Sequence, residues 1–176
     1  MNTSRRLLFG VVAVMVLLGV WAVPAAAAPR TPAAPALSEA AQERHPYRGK
    51  YVYKRALLRV DVQHDRIKHA LAAADLVEEY LADEEAAGYD TSGMEVALVE
   101  LRGKLVEAQG HNETAAQILE DGAGFDEEGY ATDPEQAKET MRSANEEMRE
   151  AGRALHEGNR EFRQAFREYR RSKRNQ

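Results

Sequence analysis

Cysteine is absent from the 176 residues. A disulfide framework, a thiolate metal site, a thiol nucleophile and a lipid-bearing lipobox cysteine are thereby excluded. Aromatic residues are only 7% of the chain, with one tryptophan, while 30% of residues are charged. That balance fits long, surface-rich helices better than a thick globular core. Proline is confined to positions 24, 29, 32, 35, 46 and 134, which leaves long stretches free of helix breakers.

Catalytic signatures are missing as well. The sequence holds no Gly-x-Ser-x-Gly elbow, no Ser-x-x-Lys and no phosphate-binding Walker loop, and Gly122-x-Gly124 lacks a third glycine. The Glu-x-x-His motif of two-metal helical bundles is absent, with Asp61-Val-Gln-His64 its nearest echo. Ala123 and Phe125 stand where a calcium loop needs oxygen ligands. The sequence points to no enzyme and no cofactor.

What is present begins with export. Arg5 and Arg6 precede an uncharged apolar run, Leu7 to Val23, followed by Pro24 and an Ala25-x-Ala27 site. These are the parts of a secretory signal peptide over residues 1–27. The alternative is a retained membrane anchor, because the run reaches the lower length limit for a spanning helix. Either reading leaves the arginines inside and sends the rest outward, to a secreted, periplasmic or cell-surface address. Residues 28–46, with Pro29, Pro32, Pro35 and Pro46, read as a Pro/Ala-rich spacer.

Residues 47–176 read as an all-α, elongated antiparallel three-helix bundle with coiled-coil-like packing. The first helix, from about Tyr51 to Ala87, has an apolar stripe at Leu57, Val60, His64, Ile67, Leu71, Ala74 and Leu81. Glu78 breaks that stripe, and a shift to Val77 repairs it. Gly88 suits a helix C′ position, and Asp90, Thr91 or Ser92 can cap the next helix.

The second helix, Ser92 to Glu120, carries Met94, Leu98, Leu101, Leu105, Ala108, Asn112, Ala115 and Leu119. Gly110-His111-Asn112 is a weak point, and a helix broken there is the competing reading. Asn112-Glu113-Thr114 is a glycosylation sequon whose asparagine falls on the packing register. Thr132-Asp133-Pro134-Glu135 starts a third helix to about Arg171, with Ala137, Met141, Ala144, Met148, Ala151, Leu155, Gly158, Phe162, Ala165 and Tyr169 inward.

Two basic patches, one over residues 44–59 and one over 160–174, invite partners. The second interleaves arginines with aromatics. It supplies the candidate contact residues Arg163, Phe166, Arg167, Tyr169, Arg170 and Arg171, suited to a protein partner or an anionic envelope surface. Nucleic acid ranks last for an exported chain. The bundle's own acids offer the competing account. Residues 69–101 contain nine acids and no lysine or arginine, and an up-down-up topology lays them beside the second patch and the loop acids Asp121, Asp126, Glu127, Glu128 and Asp133 beside the first.

The functional expectation is therefore an exported, non-enzymatic helical scaffold or interaction module, with self-association or a chaperone-like role as variants. The alternative is a metal-binding or sensing bundle using His64, His69, His111 or His156. Membrane contact is expected only through an uncleaved N-terminal segment. The Leu-Thr-x-x-Gln signature of helical extracytoplasmic stress chaperones is absent, and no family resemblance is specific enough to name.

Overall fold

The computed structural model describes residues 46–174; the proposed signal segment and nearly all of the spacer lie outside them. Three helices follow in order: α1 (Pro46–Ala86), α2 (Ser92–Asp121) and α3 (Pro134–Arg174). With 41, 30 and 41 residues, they span about 60, 45 and 60 Å at 1.5 Å per residue. Pro46 opens α1 instead of closing the spacer, because proline's fixed φ and missing N–H suit a helix's first turn.

Contacts between helices fix the topology. Tyr53 at the start of α1 donates its hydroxyl hydrogen to the Leu119 carbonyl at 2.5 Å, and Arg102 reaches Asp75 and Glu78. The first two helices are thus antiparallel. On α3, Glu147 meets His111 and Glu157 meets Lys104, so α3 returns antiparallel to α2. This is an up-down-up three-helix bundle.

Small residues set the spacing. Ala108, Ala115, Ala144 and Ala151 are fully buried, and α2 and α3 pack closely along them. At Gly158 an added Cβ would lie 2.9 Å from the Lys104 Cβ and 3.2 Å from a Leu101 methyl. Glycine is what this approach admits.

The inward positions of α2 match the expected register, from Met94 through Asn112 to Leu119, each of them buried. The helix runs unbroken through Gly110. Asn112 is 2% exposed and its Oδ1 has no hydrogen-bond partner among the described residues. A glycan cannot be accommodated there in the folded chain.

The face of α1 needs correction. The buried line is Ala56, Val60, Ile67, Ala70, Ala74, Val77 and Leu81, with half-buried Gln63 at the intervening step. Gln63 donates from its amide to the Met148 carbonyl at 3.2 Å. His64 is exposed, and Leu57 and Leu71 flank the core. The shift at Val77 was the register of the whole helix. On α3, likewise, Thr140 and Ala154 are buried while Met141, Leu155 and Ala165 pack at the edge.

The α2–α3 connection is built. Tyr53 stacks on Phe125 with centroids 4.3 Å apart, and Thr140 donates to the Ala123 carbonyl. Gly124 has φ of +84°, and a Cβ there would come within 2.3 Å of the Ala137 nitrogen. Asp133 receives the Glu135 and Gln136 N–H groups, the expected cap of α3.

Candidate functional site

The six candidate contact residues at the end of α3 divide by chemistry. Tyr169 follows its place on the packing register and not its place among the contact residues: it is 7% exposed and donates to the Glu84 carboxylate of α1 at 2.5 Å. Phe166 packs against the core. Arg163 is half-buried, whereas Arg167, Arg170 and Arg171 are exposed. Arg170 lies over the Phe166 ring at 6.0 Å, and Arg167 donates to the Arg163 carbonyl. The rings therefore face in and most of the guanidiniums out. An alternating basic-aromatic string on a helix need not put both types on one face.

Glu84 is the centre of a polar knot. It accepts from Tyr169 and pairs with Lys173, whose ammonium also sits 3.9 Å from the Tyr89 ring centroid. Burial alone would raise the Glu84 pKa, but hydrogen bonds from Lys173 and Tyr169 overcome it and hold the carboxyl below its ordinary value. Burial, then the adjacent Glu84 charge, pushes Tyr80 up to about 12, and burial and the Glu84 bond push Tyr169 higher still. With both phenols neutral and the carboxylate ionised, this cluster is a latch fastening α3 to α1 and the turn.

Self-neutralisation of the basic patches is only partial. Lys173 crosses to the acidic patch, whose Asp75 and Glu78 are otherwise served by Arg102 of α2, outside both basic patches. At the other end, Lys50 meets the Tyr130 hydroxyl and ring rather than the loop's acids. Among the described residues Lys54, Arg55 and Arg59 make no ion pair.

The histidines are dispersed in role. His64, His69 and His156 are exposed, and half-buried His111 bonds through Nδ1 to Glu147 at 2.7 Å. Among the described residues no three His, Cys, Asp or Glu side chains are grouped to hold a metal ion. The expectation that His64 sits on the packing stripe fails because the buried line passes through Ala56, Gln63 and Ala70 on one side of the shared Val60 and Ile67, while His64 lies on the other side.

Two further surfaces are apolar and exposed. On α2, Val96, Val99 and Val106 are 61%, 70% and 63% exposed, on the side opposite the buried leucines. On α1, Tyr51, Leu58 and Val62 are 71%, 62% and 41% exposed. The signal for the first was there: Val96, Val99, Gly103, Val106 and Gly110 repeat at alternating three- and four-residue steps. It was masked by the stronger leucine register two residues out of phase.

No family model, curated protein or solved structure matches the chain. Among the described residues, no helix is long and apolar enough to cross a membrane.

Proposed function

We propose that this protein is an exported, non-enzymatic helical scaffold that works by presenting its outer helix faces to protein partners. The observation that carries this reading is the second apolar stripe on α2, which faces away from the bundle it belongs to. A surface helix of a self-sufficient bundle is polar on its outer side. Apolar side chains aligned there contribute nothing to the fold and are available for a contact. The N-terminal segment, with Arg5, Arg6, the apolar run and the Ala25-x-Ala27 site, supports an address outside the cytoplasm.

Native mass spectrometry of the protein isolated from its own host's envelope tests the reading. The expected result is a chain beginning at Ala28, without stoichiometric metal, and bound to protein. A stoichiometric metal adduct would replace the scaffold with an extracytoplasmic metal-binding bundle.

A further inference from the structure

We infer that a second copy of this chain docks on the outer face of α2, entering with the outer face of the N-terminal half of its α1. This rests on the scaffold reading and names the partner. The stripe Val96–Val99–Gly103–Val106 covers about three helical turns and is bordered by acids on both sides. Glu100 and Glu107 lie on one flank, Glu95 and Glu113 on the other, all exposed. Glu107 is shared with Lys104, Glu95 with the Thr91 hydroxyl and Glu113 with Gln109; Glu100 makes no such contact among the described residues.

The complementary face is on α1. Tyr51, Leu58 and Val62 also cover about three turns. Exposed Arg55 and Arg59 lie on one flank, and exposed Lys54 shares the other with Asp61 and Asp65. One face is apolar with an acidic border, the other apolar with a basic flank at Arg55 and Arg59, and their lengths match. An anionic lipid surface would suit the α1 face alone and would repel the α2 face. A second copy accounts for both.

Gly103 and Gly110 supply an independent observation. An added Cβ at either meets nothing within 4 Å, and neither has a positive φ. Glycine inside a helix costs about 1 kcal/mol relative to alanine, and nothing within the chain requires it at these two sites. A helix seated on the stripe does, since missing Cβ atoms let backbones approach. The two faces belong to different helices and each is turned away from the bundle, so the contact is head-to-tail: each copy retains one open face, and association extends.

The test is sedimentation velocity on the full chain as its host leaves it. Wild type is expected to show concentration-dependent association beyond a dimer. Leu58→Asp and Val99→Asp each alter one exposed side chain and should keep the wild-type circular dichroism while abolishing association. Mixed together they should form a 1:1 heterodimer, because each retains the face the other has lost. Glu100→Lys should weaken association, and Glu100→Lys with Arg55→Glu should restore it. A wild-type chain that stays monomeric, a mixture that stays monomeric, or a chain binding anionic phosphatidylglycerol vesicles through Leu58 without self-associating would each overturn the inference. A monomer isolated outside the cell with a different protein on Val99 would sink this inference yet leave the scaffold reading standing.

Discussion

The outer faces of α2 and α3 make the instructive contrast. On α3 the exposed line runs Glu139, Arg142, Glu146, Arg149, Arg153, His156, Arg160 and Arg167, charged at nearly every step. Several of these charges are satisfied within the helix, as in Arg142–Glu139 and Arg153–Glu150. On α2 the equivalent line is valine and glycine. Both helices bury similar small and apolar residues inward, so the fold does not account for the difference. A polar back makes α3 an element with one apolar face, whereas α2 is apolar on two opposite sides, as expected of a helix between neighbours.

The contrast can be broken at its inner side first. Leu105→Ala removes a side chain with no exposed surface, and the loss is expected to be about 2–5 kcal/mol in urea denaturation. Gly158→Ala comes next: the crowded Cβ position against Lys104 and Leu101 predicts a loss of about 1–3 kcal/mol by overpacking. The same substitution on the outer face of α2 should have the opposite sign. Gly103→Ala meets open space and should gain about 0.5–1 kcal/mol of monomer stability, read by thermal melting under dilute conditions, while weakening association. Arg153→Ala on α3 is expected to stay within about 0.5 kcal/mol and to leave the sedimentation profile unchanged.

The latch at the end of α3 gives a pH test. Glu84 is held below its ordinary pKa, so its contribution is present above the unfolded carboxylate range and is lost as pH falls through the folded value. Tyr80 and Tyr169 are raised, so theirs is complete below the ordinary phenol pKa and lost as pH climbs through the raised values. The melting temperature should therefore decline at both extremes. Glu84→Gln should flatten the acid limb, and an unchanged acid limb would dismiss the latch.

The contrast between α2 and α1 shows how far the residues alone could be read. All three helices were legible, since Gly88, the 121–133 loop and Thr132-Asp133-Pro134 punctuate them chemically. The register of α2 was legible because its leucines admit a single choice. On α1 two lines compete, Leu57–His64–Leu71–Glu78 and Ala56–Gln63–Ala70–Val77, both sharing Val60, Ile67, Ala74 and Leu81. Helix periodicity does not distinguish lines one residue apart. The smaller, less apolar line wins because α1 must fit against both α2 and α3, with Gln63 finding the Met148 carbonyl and Leu57 and Leu71 covering the seam's edges.

By itself, then, the sequence determined three helices, their limits to within a few residues and the buried face of α2, because local chemistry and a strong apolar period act within one segment. Only the tertiary structure decided the face of α1, the bond of Tyr169 to Glu84 and the outward aim of Val96, Val99 and Val106. Each of these depends on which side of a helix a neighbour occupies, and that is settled by packing between segments distant along the chain.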